Sequence, residues 1–327
     1  MKKTMLAILL FCGLFSYSAQ AAELTVYTAV ETELLPIYEK AFNQQYPDIN
    51  ILWVRDSSGT IAARLLAEKD APKADVVFGL TADAIVELIP QGLFEPYKAA
   101  NFDAISPLMR DDKNQLWIAF NAWPASFCVN SEEMKKLNLP IPQSWEDLIR
   151  PEYKGHIVMP NPVSSGTGHM FVYGWISLWG EAKAWEYMAA LDKNIKMYVH
   201  SGSRPAQMAA QGETAIGLSS STYALPFIRK KAPLLAVNPS DGVFWSMEAS
   251  AVIKGSKNLD GARKMIDFST SQAAAEIAAD NLYITGRVLE REIDPSLSLD
   301  ALMPTDFEAK AETRAAVLEK WRSLFDR

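Results

Sequence analysis

The chain has little cysteine and little histidine: Cys12 and Cys128, with His156, His169 and His200, in 327 residues. It contains no Cys-x-x-Cys pair and no His-x-x-x-His pair, so no local metal site is written into it. The histidines show no partner spacing, and no Gly-x-Ser-x-Gly elbow exists, which removes the local signature of a serine hydrolase. Basic runs are also missing. With 32 Lys and Arg against 39 Asp and Glu the formal charge is −7, which argues against nucleic acid and anionic membrane surfaces as partners. Beyond the N-terminus no stretch is apolar enough to span a bilayer. There is no internal repeat, and nothing calls for a cofactor.

What is present begins with a leader. Met1-Lys2-Lys3 is positive, Thr4 to Phe15 is apolar, and Ala19-Gln20-Ala21 is a small-x-small cleavage signal. This layout predicts a signal peptide over 1–21, cleaved after Ala21, and export to the periplasm. Phe11 is too bulky for a lipid-attachment motif at Cys12. Removal of the leader leaves 306 of the 327 residues, a charge of −9 without Lys2 and Lys3, and Cys128 as the sole cysteine. No internal disulfide can then form, and Phe127 and Val129 suit a buried thiol. A chain of this length exceeds the size at which one core stops growing, so two lobes are expected.

The pattern of the chain is α/β. Strands are expected at 24–28, 49–54 and 74–78, alternating with helices over 31–46, 61–68 and 82–89, and the polar segment 56–60 reads as a turn. Such alternation means a mainly parallel sheet with helices on its faces. The apolar segment 117–130 reads as a crossover into a second series with strands at 157–159, 195–199 and 215–219. A return crossover near 235–245 leads to a strand over 247–253 and then helices. This gives one lobe from 22–120 plus 241–327 and another from 121–240. In open α/β sheets ligands sit at the carboxyl ends of strands, so the polar strand tips are expected to face one another across a cleft.

Val163-Ser-Ser-Gly-Thr-Gly168 lies between a strand and a helix. Its glycines let backbone come close, Ser165 and Thr167 add hydroxyls, and a helix start favours an oxyanion. The Lys-containing ending of a nucleotide-binding P-loop is absent. Asp56-Ser-Ser-Gly-Thr60 repeats the logic, with Ser58, Gly59 and Thr60 as candidates. The first segment reads as well as a plain N-cap, and the second, standing alone, reads rather as a capping turn before Ile61. His200 and Ser201 form a third polar tip, and Thr222 and Tyr223 a fourth. His169, beside Met170 and Phe171, reads as a packed or capping residue rather than a base. Glu248 enters an apolar strand beside Trp245, and a buried acid is usually paired. Its partner could be an internal cation or a ligand ammonium, with Trp245 or Trp123 as a cation–π wall.

These residues resemble the extracytoplasmic solute-binding proteins of the ferric-iron/2-aminoethylphosphonate group. The segments that carry the resemblance include Trp53–Thr60, Ala63–Asp70, Ser144–Leu148, Pro151–Gly155, Ile157–Pro162, Ser164–Gly168, Val199–Ser203 and Met247–Ala249. The likeness is closest to the aminoethylphosphonate branch and covers nearly the whole mature chain. It implies a two-lobed type II periplasmic-binding-protein fold with a ligand cleft between lobes, acting as a monomer that feeds an ABC permease and not as an enzyme. The iron-binding relatives use two adjacent tyrosines where this chain has Thr222-Tyr223, so no metal is expected. They hold a companion anion where this chain has Ser165-Gly166-Thr167. The resemblance therefore implies a small phosphonate or phosphate ester as ligand, 2-aminoethylphosphonate first, with hexose phosphate, phosphoglycerate and ferric iron as alternatives. The ligand residues it points to are Thr28, Ser58, Gly59, Thr60, Ser165, Gly166, Thr167, His200, Ser201, Thr222, Tyr223, Trp245 and Glu248.

Overall fold

Strands and helices alternate along the computed structural model, which describes residues 22–289 and 302–325; the leader expected over 1–21 lies outside the described residues. The first series runs β1 (Ala22–Thr28), α1 (Leu35–Gln45), β2 (Ile49–Arg55), α2 (Ser58–Ala67), β3 (Val76–Thr81), α3 (Ala82–Leu88) and β4 (Phe94–Glu95). A long strand, β5 (Ile118–Asn130), leads into α4 (Ser131–Leu137), β6 (Ile157–Pro160), α5 (Gly166–Trp179), α6 (Glu181–Asp192) and β7 (Ile195–Val199). Next come α7 (Arg204–Ala210), β8 (Ile216–Ser220), α8 (Ser221–Arg229) and β9 (Leu234–Val237). The chain ends with β10 (Trp245–Ile253), α9 (Leu259–Ser269), α10 (Gln272–Asp280), β11 (Ile284–Thr285) and α11 (Phe307–Phe325).

The strand order is β2-β1-β3-β10-β5-β8-β6-β7. β5 is the element that joins the two halves. Its first part pairs antiparallel with β10, and its second part, from Ala125 on, pairs antiparallel with β8 and β9. β1 is parallel to β2 and β3, and β6 is parallel to β7 and β8. The sheet is thus parallel toward each end and antiparallel where β10 and β5 cross between halves, so it is mixed rather than mainly parallel. All 13 residues of β5 are buried, as expected of a strand covered on both faces.

Each half has its own aromatic centre. Phe78 stacks on Phe120 with centroids 4.7 Å apart, and Tyr38 meets both edge-on. In the other half Trp145 stacks on Phe244 at 4.7 Å, ringed by Phe127, Phe171 and Trp175. Burying side chains of this size contributes roughly 1.5–3 kcal/mol each. Cys128 is fully buried in β5.

One element begins earlier than its apolar periodicity predicts. α2 opens at Ser58, with Ser57 in the position before its first turn, rather than at Ile61. Ser58, Gly59 and Thr60 therefore form its first turn and not a loop. Polar first-turn residues carry no helical periodicity, which is why the pattern alone starts the helix late.

Candidate functional site

The carboxyl ends of β1, β2, β3, β6, β7 and β8 meet in one cleft of about 360 Å³, its open mouth included. From the first half it is lined by Ala29, Glu31, Arg55, Ser57, Ser58, Gly79 and Thr81, and from the second by Ser165, Gly166, Thr167, Gly202 and Tyr223. Trp123 and Glu248, from β5 and β10, close the back.

Three helix starts converge on one wall. Ser58 opens α2, Thr81 precedes α3, and Ser165 caps α5. Ser58 Oγ accepts from Thr81 N at 3.3 Å, and Ser165 Oγ accepts from Gly168 N at 3.3 Å. Each hydroxyl therefore satisfies a protein N–H as acceptor and keeps its own hydrogen to donate into the cleft. Thr81 Oγ1 is buried without a hydrogen-bond partner. The starts of α2 and α5 also bring unpaired backbone N–H groups and the positive ends of their dipoles. Hydroxyl and backbone donors thus gather on one wall, a chemistry that suits an oxyanion.

Glycine makes the convergence possible. A Cβ on Gly59 would overlap the carbonyl oxygens of Val163 and Ser164, and one on Gly166 would overlap the Thr81 side chain. Gly59 N donates to Ser164 O at 2.9 Å, so the start of α2 rests directly on the turn before α5.

The opposite wall is acidic. Arg55 pairs with Glu31 at 3.3 Å, and Ser203 Oγ donates to Glu31 Oε2 at 3.0 Å. Burial raises the Glu31 carboxyl above its ordinary value, with Arg55 opposing. Glu248 is 4% exposed, and Asn121 Nδ2 donates to its Oε2 at 2.7 Å. Burial pushes Glu248 up to about 8, Glu31 adds to the rise, and Asn121 and Arg55 oppose it. Tyr223 is raised well above the usual phenol range by burial and by Glu31 and Glu248, so it stays a protonated hydrogen-bonding group. Its ring lies 5.9 Å from that of Trp123.

Of the residues read from the sequence, the cleft brings together Ser58, Ser165, Gly166, Thr167, Tyr223 and Glu248, with Trp123 beside them. Several others stand elsewhere. Thr28 is fully buried and its Oγ1 accepts from Val30 N, shaping the turn after β1. Gly59 and Thr60 lie in the first turn of α2 outside the lining. Ser201 Oγ accepts from Arg204 N at the start of α7, and Thr222 is buried facing Leu282 O. Trp245 is not beside Glu248: its Nε1 donates to Met303 O at 2.7 Å and its ring meets Phe307 edge-on, because alternate residues of a strand face opposite sides and three positions separate the two. His200 points out of the cleft and across its rim, where Nε2 is 2.7 Å from Asp56 Oδ1.

Glu31, Arg55, Gly79 and Thr81 were missed. Each follows or ends one of the first three strands, and applying the strand-end rule to every strand would have found them. Among the described residues, no three His, Cys, Asp or Glu side chains gather as a metal site, and no helix is long and apolar enough to cross a membrane.

Residues 71–305 match the family model described as bacterial extracellular solute-binding protein. An uncharacterized protein of Haemophilus influenzae is 34% identical over 96% of this chain and 94% of its own length. Among solved structures, the periplasmic binding protein AfuA from Actinobacillus pleuropneumoniae, with exogenous fructose-6-phosphate bound, is similar with TM-score 0.88 and 33% identity, over 93% of this chain and 99% of that one. The periplasmic binding protein P5PA gives TM-score 0.86 and 28% identity over the same shares. The two-lobed fold expected from the sequence is therefore shown, and the chain belongs to the bacterial extracellular solute-binding proteins, the periplasmic capture components of ABC importers.

Proposed function

We propose that this protein captures a small phosphorylated organic anion in the periplasm, with a sugar phosphate as the preferred class, and passes it unchanged to an ABC permease. The observation that carries the reading is the wall where α2, α3 and α5 begin. Ser58, Thr81, Ser165 and Thr167 offer hydroxyls there, beside two helix starts. Charge-assisted bonds from such donors to phosphate oxygens are strong ones. The facing Glu31, Arg55 and Glu248 suit the hydroxyls of a sugar, since carboxyl oxygens accept while guanidinium and a protonated carboxyl donate. The similarity to a protein with fructose-6-phosphate bound, at 33% identity, supports the same class.

On this reading the lobes divide along the middle of β5 and again between β9 and β10, near the limits expected from the sequence, and close on the ligand as hinged domains do. The mature chain begins after the leader and acts as a monomer that transforms no substrate.

A second reading, 2-aminoethylphosphonate, is favoured by one observation. Glu248 is buried with an uncharged amide as its hydrogen-bond partner, while Arg55, the one cation that lines the cleft among the described residues, pairs with Glu31. An ammonium near Trp123 would supply the missing charge.

The test is a thermal-shift panel on refolded, dialysed mature protein with glucose 6-phosphate, fructose 6-phosphate, 3-phosphoglycerate, 2-aminoethylphosphonate, inorganic phosphate and ferric citrate. A ligand at about 100 times its Kd adds roughly 2.7 kcal/mol of stability. A large shift with a hexose phosphate supports the first reading, and one confined to 2-aminoethylphosphonate the second. A response to ferric citrate alone would discard both.

A further inference from the structure

Directly behind the wall of helix starts lies a fully buried ionic cluster that touches no ligand position. Asp83 sits two residues after Thr81, in the first turn of α3. His169 sits three residues after Gly166, in the first turn of α5. Both side chains have no exposure, and His169 Nδ1 is 2.8 Å from Asp83 Oδ2. Two cations from α11 complete the cluster: Lys310 Nζ is 3.1 Å from Asp83 Oδ1 and Arg314 Nε is 3.5 Å from Asp83 Oδ2. Arg314 also reaches Glu87, one helical turn after Asp83, at 2.5 Å.

We infer that Asp83 is a positioning residue of the anion site: by joining the first turns of α3 and α5, it fixes the helix starts that present Thr81, Gly166 and Thr167 to the ligand. This deepens the reading of the cleft as an oxyanion site and rests on it.

The physical argument has three steps. A buried carboxylate is expensive unless paired, and a core built only for stability would do as well with apolar residues. Here the carboxylate stands between two elements from opposite halves of the molecule and is compensated by a third. Burial alone would raise Asp83, but Lys310, His169 and Arg314 outweigh it and hold the carboxyl well below its ordinary value. An ionised Asp83 must accept, so His169 donates from Nδ1 and its ring orientation is set. Burial lowers His169 to about 4, with Asp83 opposing, so the imidazole is neutral at pH 7 and Nε2, which has no hydrogen-bond partner, carries no proton.

The geometry explains why a small shift here would matter. Gly166 has no room for a Cβ against Thr81, so α3 and α5 touch at the cleft wall. The Asp83–His169 bond lies one helical turn behind that contact. Loosening it lets the two helix starts slide, and donors to an oxyanion are effective only within a few tenths of an ångström of their places.

The experiment uses the mature full-length chain in three forms: wild type, Asp83→Asn, and Lys310→Met, which removes the cation beside Asp83 Oδ1 and so weakens the hold of Asp83 on His169 without deleting either partner. Peptide-level hydrogen exchange is followed without ligand over residues 163–175 and, as reference, 259–269. Glucose 6-phosphate binding is then titrated at 15 °C, where each form is checked for native circular dichroism. Positioning predicts that Asp83→Asn speeds exchange of 163–175 at least tenfold beyond any change in 259–269, with a smaller effect for Lys310→Met. It also predicts at least a tenfold loss of glucose 6-phosphate affinity in Asp83→Asn. A purely structural role would speed both peptides equally, and that result overturns the inference. If Asp83→Asn does not fold, Lys310→Met carries the test: selective acceleration of 163–175 supports the inference and uniform acceleration refutes it. Failure of the wild type to bind glucose 6-phosphate counts against the ligand reading, while the exchange comparison still decides on Asp83.

Discussion

Asn121 and Glu248 face each other across the β5–β10 ladder, and the amide Nδ2 of one donates to the carboxylate of the other at 2.7 Å. The amide satisfies an oxygen but brings no charge. Burial therefore dominates and Glu248 rises to about 8. The back of the cleft thus holds a carboxyl that, at neutral pH and without ligand, prefers its proton.

This relationship makes stability depend on pH in an unusual direction. Because Glu248 is raised above its unfolded value of 4.5, the folded state holds a proton that the unfolded state loses. The contribution is fully present below about pH 4.5 and is lost as pH rises through about 8. Its full size is on the order of a few kcal/mol. Urea unfolding of the ligand-free protein at pH 5, 6.5 and 8 should show a decline that Glu248→Gln removes. Equal slopes in the two proteins would mean that the carboxyl is not desolvated.

Ser165 and Thr167 separate binding from stability. Ser165 caps α5 through Gly168 N, so Ser165→Ala should cost about 1 kcal/mol of stability together with ligand affinity. Thr167 lines the cleft without capping the helix and lies against Tyr223 and Gly202, so Thr167→Ala should leave the melting temperature nearly unchanged. The double variant is expected to lose at least tenfold in affinity for the hexose phosphate that shifts the wild type most, as read by calorimetry. Unchanged affinity would remove both hydroxyls from the ligand.

The alternation of strands and helices, and the crossing segment that forms β5, were legible because they are carried by apolar runs of fixed period; the strand order and the antiparallel pairing of β10 with β3 and β5 were not, since they join segments far apart in the chain. Helix starts were less so: Ser58–Thr60 looked like a turn since its residues suit either state. Within the site, polar tips rich in serine and glycine announced Ser165, Gly166 and Thr167. Glu31 and Arg55 did not announce themselves, because a lone charge after a strand resembles a solvated surface residue until its partner is seen. His200 and Trp245 show the limit of adjacency in sequence. His200 belongs to the right loop but turns across the rim to Asp56. Trp245 shares a strand with Glu248 but faces the other side, toward Met303. The Asp83–His169 contact joins residues 86 apart, and no local pattern could pair them.

Cys128 tests the rigidity of the shared strand. The thiol is wholly buried in β5 and pushed up to about 12, by burial first. The folded mature protein should not react with Ellman's reagent over an hour at pH 8, and denaturation in guanidinium should release one equivalent. Labelling of the native protein within minutes would mean that β5 opens locally, contrary to its place in both ladders.

Gly59 tests how closely the two halves must approach. Replacing a glycine within a helix by alanine normally favours the helix by up to about 1 kcal/mol. Here the added Cβ would press on the carbonyl oxygens of Val163 and Ser164, backbone atoms that cannot rotate away. The strain exists only while α2 and the 163–164 turn are in contact, as the Gly59–Ser164 hydrogen bond requires. If that contact tightens on closing, the free protein can relieve it by a small parting of α2 from the 163–164 turn, with the Asp83–His169 pairing behind it kept, whereas the ligand-bound form cannot. Gly59→Ala should therefore keep or slightly raise the melting temperature of the ligand-free protein, while weakening hexose phosphate binding at least tenfold, mostly through faster dissociation. Equal losses of stability and affinity would instead mean that the two turns stay in contact in the free protein as well, and that this junction belongs to the permanent core rather than to the closing surface.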